Sequence, residues 1–344
     1  MQLWLKKTCS HLPDKNACHT PFHTPPHGGK FIEADVNALS RFTNGISPVR
    51  DDKIPSGAEF FEAVETDPSY YPNRDEQEIL ICNADTLART FSNTDLIEWG
   101  PGDGNKTSTL LRLIGDQLVG RYIGVDCSPS FLDMTKRAIS SIISLEKCLL
   151  TQSDFRQCAA VLPQRLPNSS RGAVFIGTTV GNPEPEEAIT LLRYLSGEVL
   201  RPGEAAWIGA DSTRNSDVLA QAYGNDVTAQ FFLNGLMFAA RSAGLSGLDY
   251  NAFNYEIRFN QLTDFVEMDL VSQKRQTMID ADGNQAVLED QEPIRVGQSR
   301  KPSAEKWRQI YGLCGFAVEG ALTYPGKRSD YNIWQVRALP GGQP

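Results

Sequence analysis

The sequence predicts an α/β protein: a doubly wound sheet, mostly parallel with one antiparallel strand, that carries an inserted α+β domain. Three observations lead there. Between Asp75 and Asp211 short apolar runs alternate with amphipathic stretches, as parallel strands alternate with crossover helices. The run Asp95 to Trp99 passes through Gly100-Pro101-Gly102-Asp103-Gly104 into a segment bearing Leu110, Leu111, Leu113 and Ile114, a strand, a tight turn and a helix. After Ser212 the alternation stops, and it resumes near Lys301.

In chain order, residues 1–45 form a Pro/His/Thr-rich leader without an apolar period. It holds all four histidines, His11, His19, His23 and His27, with Cys9 and Cys18 among them. That collection lacks finger-like spacing, so no metal site is expected. Residues 46–74 give one helix around Gly57 to Glu65 and then Tyr70-Tyr71-Pro72-Asn73-Arg74. Strands follow at Asp95 to Trp99, Arg121 to Asp126, Cys148 to Thr151, Ala173 to Gly177 and Ala205 to Ala210, with helices starting near Lys106, Ser130 and Pro185. Beyond the fifth strand, Leu219 to Ala243 reads as one helix and Val266 to Met278 as strand and turn. Lys301 to Leu313 is helical, and Phe316 to Tyr324 with Tyr331 to Leu339 closes the sheet. Residues 46–74 with 213–300 are expected to form a lid, and 75–212 with 301–344 the main domain.

Composition narrows the function. The chain has 344 residues, 40 % of them hydrophobic and 22 % charged, ordinary for a globular protein with a large core. A formal charge of −9 argues against nucleic acid, whose phosphates need a basic surface. No apolar run reaches the roughly 18 residues of a membrane span. Seven cysteines without a C-x-x-C pair suit a reducing compartment, so a cytoplasmic protein is expected. A small-molecule partner and a monomer or small homo-oligomer follow as expectations. From Phe31 onward there is no histidine, so a general base in the body would be a carboxylate, Tyr, Lys or water.

The glycine loop by itself serves several cofactors. Its neighbours narrow the choice. Asp126 ends the second strand, where it can accept hydrogen bonds from a ribose diol. Asp154-Phe155 follows the third, where a carboxylate can meet an adenine amino group and an aromatic ring its face. Gly100, Gly102, Lys106, Asp126, Asp154 and Phe155, with Gly177 and Thr178 of the fourth strand's end, are the candidate contacts to S-adenosyl-L-methionine. A nicotinamide site is the competitor, but it does not predict Asp-Phe after the third strand. Lys106 lies in the first turn of its helix, against the dipole, which suggests a task such as reaching a methionine carboxylate.

The run Phe175-Ile176-Gly177-Thr178-Thr179-Val180-Gly181-Asn182-Pro183 sits where open parallel sheets place their reacting groups. Asn182 offers a donor and an acceptor to an amino acid's carboxylate and amine, or else caps the next helix. Tyr70, Tyr71 and Tyr223 are candidate phenol donors or ordinary half-buried aromatics.

Tyr70 to Arg74, Glu98 to Lys106, Phe175 to Asn182, Gly209-Ala210-Asp211, Ala222-Tyr223 with Val227-Thr228, Val266-Glu267-Met268 and Ser299-Arg300-Lys301 together resemble the histidine Nα-methyltransferase family of ergothioneine biosynthesis, which includes dimethylallyltryptophan N-methyltransferase. The resemblance spans about residues 55 to 337 and implies a class I methyltransferase-like fold, dependent on S-adenosylmethionine. It implies that Tyr70, Gly177, Asn182 and Tyr223 surround the substrate amine and carboxylate, with Asn182, Tyr223 and Tyr70 doing the catalytic positioning. Met268, Ser299 and Phe61 would line the side-chain pocket. Where the histidine enzyme carries an imidazole-binding glutamate, this chain has Gly297, which favours a larger or less basic side chain. Histidine itself remains open as acceptor if Glu267, Glu289 or Glu292 replaces that carboxylate. A second departure is Lys53 or a neighbour in place of a family tyrosine. The expected reaction is methylation of the α-amine of a free amino acid or derivative, repeated transfer included. A catalytically inactive cofactor-binding partner protein is the alternative of another class.

Overall fold

The computed structural model describes residues 57–115, 120–167, 169–280 and 282–340. The leader, its histidines and Lys53 lie outside these. Three helices come first: α1 (Gly57–Thr66), α2 (Tyr71–Cys82) and α3 (Ala84–Phe91). The main sheet then builds from β1 (Thr94–Trp99), α4 (Asn105–Ile114), β2 (Tyr122–Asp126), α5 (Pro129–Ile139), β3 (Cys148–Gln152), β4 (Ser170–Phe175), α6 (Pro185–Tyr194) and β5 (Ala205–Asp211). The insertion comprises α7 (Ser216–Tyr223), α8 (Asp226–Ser242) and β6 to β10 (Phe253–Asn260, Phe265–Ser272, Gln276–Ile279, Gln285–Leu288, Pro293–Arg300). The chain returns through α9 (Ala304–Leu313), β11 (Phe316–Leu322) and β12 (Tyr331–Ala338).

The seven-stranded sheet has the order β11-β12-β5-β4-β1-β2-β3. β1 to β5 pair in parallel, whereas β12 lies antiparallel between β5 and β11 and is the one reversed strand. Alternate residues of each strand face opposite layers. Leu96, Tyr122, Val174, Trp207 and Ile333 point to the side of α2, α3 and α4. Ile97, Trp99, Ile123, Val125, Phe175 and Ile208 point to that of α6 and α9. Because strands buried on both faces carry near-continuous apolar runs, the sequence shows them clearly.

The inserted three-stranded sheet has the order β10-β7-β6 and is antiparallel. Val266, Met268 and Leu270 of β7 join Tyr223, Phe232 and Leu236 in the same apolar cluster as the α2–α4 side of the main sheet. One core therefore runs from sheet to insertion.

Three expectations need correction. The segment 219–243 is two helices, broken at Gly224-Asn225, where the Asn225 side chain accepts from Thr228 N–H and caps α8. The apolar period runs through that break unchanged, so only the cap marks it. The domain boundary expected at residues 74/75 falls inside α2, which packs on α4 and β12. α2 and α3 are themselves additional to the predicted elements.

Candidate active site

The chemistry-bearing residues gather at the carboxyl ends of the parallel strands. Gly100, Gly102 and Gly104 all have positive φ (73°, 61° and 85°). A Cβ on Gly104 would lie 2.7 Å from Thr135 Cα, so only glycine lets α4 start against α5. A Cβ on Gly102 would meet nothing within 4 Å, which leaves open space over the loop. Behind the loop, Glu98 accepts from Thr107 and Tyr122 (2.8 and 2.7 Å), and burial pushes its carboxyl up to about 6.

Asp126 is buried at the end of β2. Its Oδ1 accepts from Ser128 N–H at 2.8 Å, while Oδ2 has no hydrogen-bond partner among the described residues. Burial pushes the carboxyl up to about 7. A buried acceptor without a partner is costly, and a ribose diol would satisfy it. Open glycine backbone beside an orphaned carboxylate fits S-adenosylmethionine, with Gly100, Gly102 and Asp126 placed to hold it.

Asp154 and Phe155 differ from expectation. The Asp154 carboxylate caps its own turn at Arg156 N–H (2.8 Å) and pairs with the Arg156 guanidinium (2.6 Å). The Phe155 ring is 3 % exposed and stacks on Trp99, centroids 5.3 Å apart, with Phe175 against its edge at 5.7 Å. It belongs to the core on the α6 side, so it does not cover an adenine face. An apolar residue beside an acid looks the same in sequence whichever way its ring turns.

Lys106 is engaged within the protein as well. Its ammonium lies 3.1 Å from Glu65 and 3.3 Å from Glu76, so two carboxylates already neutralise it. Burial works to lower its pKa, but Glu65 and Glu76 outweigh that and hold it above the usual lysine value. The pair ties α1 to the glycine-loop helix. Glu76, buried in α2, also accepts from Gly177 N–H at 2.8 Å and from the Tyr331 hydroxyl. It fixes the turn after β4, and no motif announces it.

In that turn Gly177 has φ 89° and Thr178 φ 60°. A β-branched residue in the left-handed region is strained by about 1–3 kcal/mol, a cost tolerated mostly at functional sites. Among the described residues Thr178 Oγ1 is buried without a hydrogen-bond partner, and so are both Oδ1 and Nδ2 of Asn182, which is 1 % exposed. Asn182 does not cap α6, since the N-cap is Glu184. A whole amide without a partner in the interior costs on the order of several kcal/mol unless a ligand completes it.

Opposite stands an aromatic and ionic cluster. Tyr70 meets Tyr223 edge-on at 5.7 Å, and both are buried. The Lys301 ammonium donates to the Tyr223 hydroxyl (2.7 Å) and to Ser299 Oγ (3.1 Å), and lies 2.7 Å from Asp211 Oδ2. Tyr71 donates to the same Asp211 oxygen. Burial pushes the Asp211 carboxyl up, but Lys301 and these hydrogen bonds outweigh it and hold it below its usual value. Lys301 and Asp211 stood inside quoted motifs without an assigned role, because only the fold brings residues 211 and 301 together.

The residues expected to border the substrate side chain lie among aromatic rings. Phe61, Phe231, Phe232 and Tyr255 form a chain of rings with centroids 6.0, 5.0 and 5.8 Å apart, and Phe61 also meets Phe131 at 6.1 Å. Gly297 does not open space. A Cβ there would lie 2.6 Å from Phe232 Cζ and 3.1 Å from Met268 Sδ, so these two side chains fill the place of the missing one. Nor does a carboxylate replace it. Glu267 projects from the other face of β7 to Arg258 and Arg295, while at the β9–β10 turn Glu289 is exposed and Glu292 is half-buried and accepts from Glu289 N–H.

The sheet order and the strand-end site define an S-adenosylmethionine-dependent methyltransferase. The sequence matches the family described as histidine-specific, S-adenosylmethionine-dependent methyltransferases over residues 52–336, and the chain belongs to that family. A histidine N-alpha-methyltransferase of Mycobacterium tuberculosis (strain CDC 1551 / Oshkosh) is 31 % identical over 223 residues, 64 % of this chain and 68 % of the relative. One from Mycolicibacterium smegmatis is 28 % identical over 215 residues, covering 62 % and 65 %. The chain thus spans about two thirds of the length of these relatives. The N-methyltransferase imqF of Aspergillus flavus is 24 % identical over 288 residues, covering 78 % and 77 %. Among solved structures, the CcbJ methyltransferase of Streptomyces caelestis aligns over 84 % of this chain and 94 % of its own at 13 % identity, TM-score 0.41. Among the described residues no helix is long and apolar enough to cross a membrane.

Proposed function

We propose that this enzyme methylates the α-amine of a free amino acid or close derivative whose side chain is aromatic and uncharged, tryptophan-like rather than histidine. The observation that carries the reading is Asn182: a buried amide with neither atom partnered among the described residues, near Gly177 and Thr178 in the chain. Its Oδ1 accepts from the amine and its Nδ2 donates to the carboxylate, which one amide can do for the two groups of one zwitterion. Tyr70 and Tyr223 complete the clamp, and Ser299 and Met268 border the side chain. The ring-lined pocket, closed over Gly297 and without a carboxylate, supports an apolar planar group against an imidazolium. The names of the mycobacterial relatives support histidine as the second reading.

S-adenosylmethionine, when bound, supplies a methyl group activated by a positively charged sulfur. The protein's part is to hold the neutral amine with its lone pair aimed at that methyl and to exclude water. Such positioning is worth up to about 7–11 kcal/mol. In the zwitterion the ammonium has no lone pair, so the form that attacks is the neutral amine, and its proton leaves to solvent before the transfer. No anion develops in the transfer, since charge passes from sulfur to nitrogen. Repeated transfer to the same amine belongs to this reading.

A mass-spectrometric screen of free amino acids and indole derivatives with the methyl donor tests the reading. Tryptophan or an indole derivative is expected to gain 14 mass units per transfer. Methylation of histidine alone would reverse the side-chain assignment, and methylation of no amino acid would overturn the class of acceptor.

A further inference from the structure

One carboxylate neutralises one ammonium, and the corner between α1, α2 and α4 has a carboxylate to spare. Glu65 Oε1 lies 3.1 Å and Glu76 Oε2 3.3 Å from the Lys106 ammonium, and all three side chains are largely buried. The two acids are not equally engaged. Glu76 Oε1 already receives Gly177 N–H and the Tyr331 hydroxyl. Its Oε2 is buried facing Lys106, without a hydrogen bond among the described residues. Glu65 receives Lys106 on Oε1, and among the described residues its Oε2 takes no hydrogen bond. Burial raises the Glu65 carboxyl above its usual value, Lys106 works against that, and the charges of Asp103 and Glu76 add to it. A second cation at Oε2 relieves that crowding of like charge. The corner also stands in the right place. It abuts the turn after β4 at Gly177, where a Cβ would lie 3.4 Å from Lys106 Nζ. In the sheet, β1 with its glycine loop lies between β2, which ends in Asp126, and β4, which leads to Asn182. A cofactor that gives its ribose to Asp126 and turns its methyl to Asn182 lays its methionine tail over this loop.

We infer that Glu65 is a cofactor-binding residue: its carboxylate, held in place by Lys106, receives the α-ammonium of the methionine tail. The other amine in the reaction, the acceptor's, does not suit it. A carboxylate facing the acceptor would stabilise its protonated form, which has no lone pair to attack with. The ammonium of the tail keeps its proton in cofactor and product alike, so one contact serves both. The inference rests on the cofactor site and not on which amino acid is methylated.

The test is calorimetric binding of three probes to the full-length protein. They are S-adenosylhomocysteine, its desamino analogue with hydrogen in place of the amine, and 5′-methylthioadenosine, which lacks the amino and carboxyl groups of the tail. The wild type is expected to favour S-adenosylhomocysteine over the desamino analogue by about tenfold or more, the size of a charge-assisted hydrogen bond. Glu65→Gln, which leaves Lys106 its Glu76 partner, should bring that ratio near one with the 5′-methylthioadenosine affinity unchanged. A purely structural tie between α1 and α4 would weaken all three probes alike and leave the ratio standing, which overturns the inference. If Glu65→Gln does not fold, Glu65→Asp, which keeps the charge on a shorter stem, must lower the ratio. A folded Glu65→Gln that keeps the wild-type ratio but loses affinity for the amino-acid acceptor also overturns it, and assigns Glu65 to the acceptor's amine. Binding of none of the three probes by the wild type overturns the inference and the cofactor placement together.

Discussion

Two sets of buried polar groups differ in one respect. Asp126, Thr178 and Asn182 each present a buried atom with no partner among the described residues. Lys301 and Asp211 are as deeply buried, yet every bond of the ammonium is used. Folding alone satisfies the second set and leaves the first set incomplete. We read the first set, gathered at the strand ends, as the groups a ligand completes, and the second as the frame that holds them in place. The contrast predicts opposite responses to mutation: losing a member of the frame costs stability, and losing a member of the incomplete set costs function.

The largest expected effect is on the frame. Lys301→Met leaves Asp211 as an uncompensated buried charge, which costs about 3–5 kcal/mol. Chemical denaturation should show that loss, and Asp211→Asn added to it should restore part of it. Lys301→Met with wild-type stability would break the comparison. Asn182 behaves in the reverse way. Asn182→Ala should lower kcat on the order of 10²-fold or more, as removal of a positioning hydrogen-bond group does. It should leave the calorimetric affinity for the cofactor within a few-fold and the melting temperature of the ligand-free protein unchanged or higher. Full turnover would mean that the amide holds no substrate.

Gly297 comes next. Gly297→Glu drives a side chain into the Phe232 ring and should destabilise by about 1–3 kcal/mol, read from urea unfolding. Phe232→Ala in the same chain should recover part of that loss, and only the double variant should turn preference toward histidine in relative kcat/KM. A single variant as stable as the wild type would show the place over Gly297 to be empty.

The smallest effect is one of pH. Asp126, raised by burial to about 7, binds a proton in the folded protein that the unfolded chain has released above roughly pH 4. With more protons on the native state, this group's contribution to stability falls as pH rises between about 4 and 7, the reverse of a paired carboxylate. Ribose hydroxyls, in contrast, favour the ionised form. Cofactor affinity should therefore drop by at most about tenfold per unit as pH falls below 7, and Asp126→Asn should bind weakly with a flat profile. A sloping profile in that variant would remove Asp126 as the cause.

Local signals made much of the molecule readable. β1 to β5 are short, apolar on both faces and bounded by turn residues, and the loop glycines mark where β1 becomes α4. Asp126 and Asn182 stood at predictable strand ends. Phe155 was not decidable, because a ring beside an acid can face the ligand or the core, and its stack on Trp99 settles that. Lys106 was not decidable either, since its carboxylate partners lie 41 and 30 residues earlier in the chain.

By itself the sequence determined the sheet, its insertion and the cofactor loop, because hydrophobic period and glycine conformation act over a few neighbouring residues. Only the tertiary structure decided that Lys301 meets Asp211, that Phe232 fills the place over Gly297, and that the Asn182 amide is left without a partner among the described residues. Each of these depends on which distant side chain arrives at a given point, and burial then sets its cost.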